Sequence, residues 1–167
     1  MKNNSSNIID FSKFDIIFED KPIIFGGMAM DYYGIRTCGN DMDCIVSNRD
    51  YLKLDAKYRD YRKDMWGNFG VSVHNCDLFR SILKLDYSYF DRGAIELEQY
   101  KIVSIDILFQ LKVFAMAAEE KHKTDVELIK QYLLNTYQNK EYVDYANKYT
   151  DRYLKAENGM IFNGDYY

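Results

Sequence analysis

Two aspartates in the first third of the sequence are the side chains best placed for chemistry. Asp41 and Asp43 are separated by one residue within an otherwise apolar run, residues 41–46, that is typical of a β-strand. Because alternate side chains of a strand point to the same face, the two carboxylates would lie side by side, about 7 Å apart along the chain. Carboxylate oxygens are ligands that Mg²⁺ prefers. The spacing therefore predicts that Asp41 and Asp43 bind two Mg²⁺ ions, which could bridge to substrate phosphates.

A pair of glycines precedes these aspartates at a place where phosphates could bind. Residues 22–25 are a short apolar run that predicts a buried strand, and residues 28–33 follow as a helical segment. Gly26 and Gly27 carry no Cβ, so the backbone can turn tightly and approach a ligand closely. Free N–H groups at a helix start attract anionic phosphate groups. We therefore expect Gly26, Gly27 and Met28 to contact the β- and γ-phosphates of a nucleoside triphosphate.

A phosphate site and a metal site within one strand–helix–strand unit suit nucleotidyl transfer. In that reaction an acceptor hydroxyl attacks the α-phosphate of a nucleoside triphosphate and pyrophosphate leaves, and metals and positioning supply most of the rate. An Asp-x-Asp pair or a Gly-Gly pair alone is a weak signal, whereas the ordered combination is much more specific. The alternative is a structural unit whose glycines only turn the chain and whose acids cap a strand edge.

The same stretch resembles the nucleotidyltransferase superfamily with the DNA polymerase beta-like fold, whose signature is Gly-Gly or Gly-Ser, a spacer and Asp-x-Asp. Within it the sequence is most similar to the minimal nucleotidyltransferases and the abortive-infection type nucleotidyltransferase toxins. Members of that branch often have Gly-Gly-x-Ala, then Gly, Arg and Ser or Thr before Asp-x-Asp. The residues that match this pattern here are Gly26, Gly27, Ala29, Gly34, Arg36, Thr37, Asp41 and Asp43.

A second match to that branch lies downstream. Residues 104–108 and Lys112 resemble its lysine-bearing helix, and residues 121–125 resemble the basic turn and Lys-x-Asp that open its next helix. Together the two matches anchor residues 22 to about 135. Two departures concern the choice of substrate more than metal binding: residues 38–40 lengthen the spacing between the arginine and the acids, and residues 119–121 lack a common arginine.

The resemblance also implies a third carboxylate on a later strand, which would complete the metal site and polarise the attacking hydroxyl. Asp86 is the first candidate, because residues 81–87 alternate and are flanked by an aromatic residue, as in a strand. The predicted metal and catalytic set is therefore Asp41, Asp43 and Asp86. Asp77 and Asp91 are the alternatives for the third position.

Three basic residues are candidates for binding the triphosphate. Lys112 lies in a mostly apolar helical run, where it would either contact a phosphate or extend its stem towards solvent. Arg36 is the other residue that could offset the phosphate charge. Lys123 could orient the triphosphate with Asp125, or the two could simply pair at the surface.

Length and composition fit one compact domain of an α/β (α+β) protein with a mixed sheet, flanking helices and a carboxy-terminal helical segment. The chain has 167 residues, one proline and no Gly/Ser-rich linker, so we expect a single domain over 1–156, with a core at 22–135 and a tail over 157–167. Three scattered cysteines and the lack of an apolar signal segment or membrane span predict a reduced, cytoplasmic protein. The histidines lack partners at zinc-ligand spacing.

The periodicity of the sequence places further elements around the central unit. Besides the run at 41–46, strands are expected in 69–74, 82–87 and 94–103. The expected helices are 10–20, 49–65, 105–121, 125–137 and 141–156.

The identity of the acceptor stays open at the level of sequence. The net charge of −4 does not favour long nucleic acid as a partner, although a tRNA end, a protein side chain or a small-molecule alcohol would each supply a hydroxyl. The resemblance makes a toxin-like role and a cognate partner protein conceivable. Two alternatives to an enzyme remain: a degenerate module that binds a nucleotide without turnover, and an antitoxin-like module that binds a partner protein.

Overall fold

The computed structural model describes residues 9–65, 68–137, 144–145, 147–148 and 150–151. The tail expected over 157–167 lies outside these ranges, as does most of the helix expected at 141–156. The described residues between 144 and 151 are helical. The expectation of a single domain over 1–156 stays a prediction.

A mixed sheet of seven strands forms the centre of the molecule. Its strands, in spatial order, are β3 (Arg62–Met65), β4 (Asn68–Val73), β5 (Cys76–Phe79), β2 (Met42–Ile45), β1 (Ile23–Phe25), β9 (Lys101–Ile102) and β8 (Ile95–Glu96). Strand β2 runs parallel to β5, and β1 runs parallel to β9, whereas the other neighbours are antiparallel. The predicted α/β class with a mixed sheet is therefore confirmed.

Helices pack around this sheet. In chain order they are α1 (Gly26–Tyr32), α2 (Asn48–Lys57), α3 (Tyr87–Phe90), α4 (Ile105–Ala115) and α5 (Lys121–Tyr137). Strands β1 and β2 contribute buried apolar side chains to one continuous core, which also includes apolar faces of α4 and α5. Within the described residues, no helix combines the length and the apolar composition needed to cross a lipid bilayer.

The unit β1–α1–β2 folds as its sequence predicts. Strand β1 is buried throughout, and α1 begins directly at Gly26, two residues earlier than expected. The helix ends with Gly34 at a φ of 70°. The N–H groups of Gly34 and Ile35 donate to the carbonyl groups of Asp31 and Met30, the paired hydrogen bonds of a Schellman motif. This tight end returns the chain towards β2.

The helix expected over 10–20 is wrong. Only a 3₁₀ turn at Ser12–Phe14 forms there. Phe11, Phe14 and Phe18 pack against one another instead of lining one helix face. The buried Asp50 of α2 accepts hydrogen bonds from the backbone N–H groups of Glu19 and Asp20, which fixes the chain in a non-helical bend before β1. Tertiary contacts therefore override the local pattern.

The helix expected over 49–65 is correct only in its first part. Helix α2 ends at Lys57, where Tyr58 leaves the helical region, and β3 follows after a short 3₁₀ turn. Strand β3 pairs with β4 in an antiparallel ladder. A ladder between distant residues gives these polar residues a partner that local helix propensity cannot reveal.

Two of the expected strands are broken by turns. Residues 82–87 contribute to a tight hairpin of β6 (Ser81–Ile82) and β7 (Leu85–Asp86), because Leu83 and Lys84 both adopt positive φ angles. Residues 94–103 form the hairpin of β8 and β9. The sequence pattern also missed β5 altogether, and it placed the end of α4 and the start of α5 several residues too late.

Candidate active site

Two carboxylates meet on neighbouring strands at the centre of the sheet. Asp43 of β2 is paired in register with Asp77 of β5, so their side chains share one face. On its other side Asp43 is paired with Phe25, the last residue of β1 before the glycine pair. Asp43 therefore lies between the glycine turn and Asp77.

Gly26 is required by two features of the backbone. Its φ is +65°, in the left-handed region that favours glycine, and a Cβ added there would overlap Oδ2 of Asp43. The carboxylate of Asp43 thus lies directly against the start of α1. Gly27 is less constrained, since the guanidinium of Arg36 is 3.7 Å from the position of its missing Cβ.

We predict that Gly26→Ala disrupts this contact. The substitution adds backbone strain of about 1–2 kcal/mol at positive φ and forces Asp43 to move. Gly34→Ala is the matched control, because Gly34 also has a positive φ but no atom within 4 Å of the added Cβ. Thermal unfolding and nucleotide binding should show a larger loss for Gly26→Ala than for Gly34→Ala. Equal losses would contradict the close approach of Asp43.

The charged form of Asp43 is destabilised by its surroundings in the folded protein. Burial, followed by the negative charges of Asp77 and Asp41, raises the pKa to about 6, although Lys112 and Lys121 act in the opposite direction. A divalent cation between these carboxylates would offset the same repulsion. The donor set, all carboxylate oxygens, is of the kind that Mg²⁺ takes.

Asp41 lies just before β2 and is exposed, so it acts on Asp43 from the end of the strand. It shares a cleft of about 570 Å³ with Asp77. Within the described ranges, no three His, Cys, Asp or Glu side chains converge into a ready metal site. Of the predicted metal set, Asp43 lies in register with Asp77, which was an alternative for the third position, and Asp41 lies at the rim of the strand.

The structure does not bring Asp86, the expected third carboxylate, to this pair. Asp86 is the N-cap of α3, where its Oδ1 accepts hydrogen bonds from the N–H and hydroxyl groups of Ser88. Its strand partner is Ser81, which follows the end of β5 opposite to the end where Asp41 lies. The side chain of Asp86 is exposed and serves as a helix cap, and it is Asp77 that lies beside Asp43. Asp91 is also elsewhere, in an ion pair with Lys101.

A buried ion cluster lies behind the glycine turn. Asp125, at 4% exposure, accepts from Nε of Arg36 at 2.6 Å and from Nη2 of Arg36 at 3.0 Å. Nζ of Lys112, itself almost fully buried, lies 2.7 Å from Oδ2 of Asp125 and 3.4 Å from Nδ1 of His122. Burial raises the pKa of Asp125, but the neighbouring His122 and the bonds from Arg36 and Lys112 outweigh it and hold the pKa far below its usual range.

The basic residues that were expected to bind phosphate each have a carboxylate partner within the protein. Arg36 and Lys112 are both engaged by Asp125, although the charge of Lys112 also reaches Asp43. Lys123 pairs with Glu120 at 2.9 Å rather than with Asp125. Lys121, at the start of the basic turn, stabilises the charged form of Asp43. The positive field at the carboxylates thus comes from Lys112 and Lys121.

Comparison with known proteins gives one informative match. No family model matches the chain, and no curated protein matches it at a significant level. Among solved structures, the chain is similar to the crystal structure of ANT(2")-Ia, an aminoglycoside nucleotidyltransferase, in complex with adenylyl-2"-tobramycin. The TM-score is 0.50 and the identity 14%, over 80% of this chain and 88% of that chain. The fold is nucleotidyltransferase-like.

A pattern repeated in two strands is the sequence signal that could have found Asp77. Strands β2 and β5 share one pattern, an acid after a buried first residue and before two buried apolar residues, as in Met42–Ile45 and Cys76–Phe79. The parallel pairing of these strands places the two acids side by side. A search of the sequence for a second copy of the β2 pattern would therefore have preferred Asp77 to Asp86.

Proposed function

We propose that this protein transfers a nucleoside monophosphate from a nucleoside triphosphate to an acceptor hydroxyl. The observation that carries the proposal is the placement of Asp43, paired in register with Asp77 and lying against Gly26 at the start of a helix. A nucleotidyltransferase-like fold supports the same chemistry. The site thus joins a helix start suited to phosphates with carboxylates suited to a hard cation.

The reaction proceeds by exchange of one phosphorus–oxygen bond for another. The acceptor oxygen attacks the α-phosphorus, and the bond from that phosphorus to the bridging oxygen of the leaving pyrophosphate breaks. The hydroxyl proton passes to the carboxylate of Asp77 and then to water. Gly26, Gly27 and Met28 hold the β- and γ-phosphates through the backbone at the start of α1.

Asp43, Asp77 and Asp41 would hold Mg²⁺ in this site. The cation, when bound, neutralises phosphate charge and makes the acceptor hydroxyl more acidic. Lys112 and Lys121 add positive charge beside Asp43. Asp125 positions Lys112 and Arg36 without contacting the reacting atoms.

The assignment of Asp77, and not Asp86, as the third carboxylate can be tested directly with one substitution at each position. We expect Asp77→Asn to lower kcat for pyrophosphate release by at least about a hundredfold, as expected for loss of a general base. Asp86→Asn should retain kcat within a fewfold, since asparagine is also a good N-cap. Steady-state kinetics with each nucleoside triphosphate would measure both. Loss of activity in Asp86→Asn with retention in Asp77→Asn would refute the assignment.

A toxin-like role, a tRNA or small-molecule acceptor and a cognate partner protein are finer forms of this proposal. An RNA and a small-molecule acceptor each predict a different labelled product from the same chemistry, and a cognate partner protein predicts copurification. Two competitors are not enzymes. A module that only binds the nucleotide predicts binding without pyrophosphate release, and an antitoxin-like module predicts copurification with a partner protein and indifference to Asp41→Asn.

A further inference from the structure

One face of the sheet carries polar side chains from the carboxylates to the sheet edge. Ser72 of β4 is paired in register with Asp77, which is itself paired with Asp43. Lys63 of the edge strand β3 is paired with Gly70, two residues from Ser72. Directly opposed residues share a face, so Lys63, Ser72 and both aspartates project to the same side.

This polar face is the floor of a sizeable cleft. The cleft measures about 570 Å³, and its lining includes Asp41, Tyr61, Lys63, Ser72 and Asp77. It reaches from the carboxylates to the outer edge of the sheet. The glycine turn, Lys112 and Lys121 are not part of its lining, so it lies on the side of the carboxylates away from the proposed triphosphate contacts.

An aromatic ring lies at the outer end of the cleft in a supported position. Tyr61 is 56% exposed, and its ring meets that of Tyr58 edge-on, with centroids 6.3 Å apart. The ring of Tyr58 in turn meets His74 at 6.0 Å, and its hydroxyl donates to the backbone carbonyl of Phe14 at 2.9 Å. Tyr61 thus presents its ring to solvent from a packed aromatic base.

Lys63 supplies a cation beside this ring. Its side chain is exposed, and among the residues that the structure describes it has no carboxylate partner within 4.0 Å. Neighbouring Arg62 is instead paired with Asp55. An accessible cation next to an exposed aromatic ring suits a ligand that has both a phosphate and a planar base.

We propose that this cleft is the acceptor site and that the acceptor is a nucleotide. Its base stacks on Tyr61, its phosphate pairs with Lys63, and its ribose hydroxyl points along Ser72 towards Asp77. This inference rests on the proposed nucleotidyl transfer and specifies the compound that receives the nucleoside monophosphate. A free mononucleotide and the end of an RNA share this chemistry.

The test offers four acceptors to the protein with Mg²⁺ and α-labelled nucleoside triphosphates. They are a short oligoribonucleotide, a nucleoside 5′-monophosphate, a phosphate-free sugar alcohol and tobramycin. Label in either nucleotide acceptor supports the proposal, and which of the two is labelled distinguishes RNA from a free mononucleotide. Label in tobramycin or the sugar alcohol alone overturns it.

Variants of the cleft test the assigned contacts. Tyr61→Ala should raise KM for the acceptor about fivefold or more, the low end of the cost of losing a stacked base, while KM for the triphosphate stays unchanged. Lys63→Gln, which removes the charge that pairs with the acceptor phosphate, should also raise KM for the acceptor only. Arg49→Gln is the control, because it removes one exposed positive charge from α2 outside the cleft. Unchanged acceptor KM in both cleft variants would overturn the proposal.

A measurement of triphosphate binding distinguishes failure of the nucleotide-acceptor proposal from failure of the proposed nucleotidyl transfer. If calorimetry shows binding of the triphosphate but no acceptor is labelled, the nucleotide-acceptor site is overturned and nucleotide binding stands. If the triphosphate does not bind to the folded protein, both the acceptor site and nucleotidyl transfer are overturned.

Discussion

Replacing Asp125 by Asn should lower the free energy of unfolding by about 3–5 kcal/mol, the usual cost of removing one partner of a buried ion pair. The carboxylate of Asp125 neutralises both Arg36 and Lys112, and Lys112 has 6% exposure. Without it, a buried ammonium faces no carboxylate within the cluster. Urea denaturation of the variant and the wild type at pH 7 would measure the difference.

The difference in the free energy of unfolding between the wild type and Asp125→Asn should depend on pH. Because the pKa of Asp125 is lowered in the folded protein, its contribution is fully present above the pKa of the unfolded state, about 3.9. It is lost as the pH falls below that value. The stability gap between wild type and Asp125→Asn should therefore narrow in acid.

A partly exposed ion pair provides the control for the Asp125 experiment. Glu127→Gln removes the partner of Lys130, whose bond to the half-exposed Glu127 is 2.8 Å long. That change should cost less than about 1 kcal/mol. An Asp125→Asn effect as small as that of Glu127→Gln would contradict the structural role of the cluster.

Replacing Asp43 by Asn should have opposite effects on activity and on stability. Loss of a carboxylate at the reacting centre should lower kcat by roughly three orders of magnitude or more. The same change removes an ionised group whose pKa the fold raises to about 6. The metal-free variant should therefore be more stable than the wild type at pH 7, by about 3 kcal/mol for a shift from 3.8.

The sign of this stability effect follows from proton binding. Between pH 3.8 and about 6 the folded protein holds a proton on Asp43 that the unfolded chain has lost, so wild-type stability falls as the pH rises through this window. The stability of Asp43→Asn should not decrease in this way, because asparagine does not titrate. Mg²⁺ should raise the unfolding temperature of the wild type at pH 7 and leave that of Asp43→Asn nearly unchanged.

Glu98→Gln is the matched control for this second experiment, because Glu98 is exposed and lies outside the site. It should preserve kcat, stability and the response to Mg²⁺. A destabilised Asp43→Asn variant, or one that responds to Mg²⁺ like the wild type, would show that Asp43 has a structural role instead.

The part of the site that the sequence could predict is local in the chain. The strand–glycine–helix–strand order places Gly26 against Asp43 within one supersecondary unit, and periodicity with turn chemistry is enough to recognise it. The α/β class and the existence of α4 and α5 followed from the same patterns. Strands β3 and β5 did not, since their places in the sheet depend on distant contacts.

The remaining parts of the site depend on contacts between residues far apart in sequence. Asp77 reaches Asp43 through the pairing of β2 with β5, after a hairpin turn at His74 and Asn75. Both residue types adopt positive φ angles more often than most, but the turn alone does not indicate which strand β5 pairs with. Arg36 meets Asp125 across 89 positions. Register and ion-cluster partners of this kind arise only when the whole sheet is assembled.

Label transfer from each α-labelled nucleoside triphosphate, with Mg²⁺, to separate RNA, protein and small-molecule fractions tests the central claim most directly. The control is the Asp41→Asn, Asp43→Asn double variant, confirmed as folded by circular dichroism. Nucleotidyl transfer predicts label in one fraction and its loss in the double variant. Absence of label in every fraction, from folded wild-type protein that still binds the triphosphate, would contradict the enzyme and favour a nucleotide-binding module.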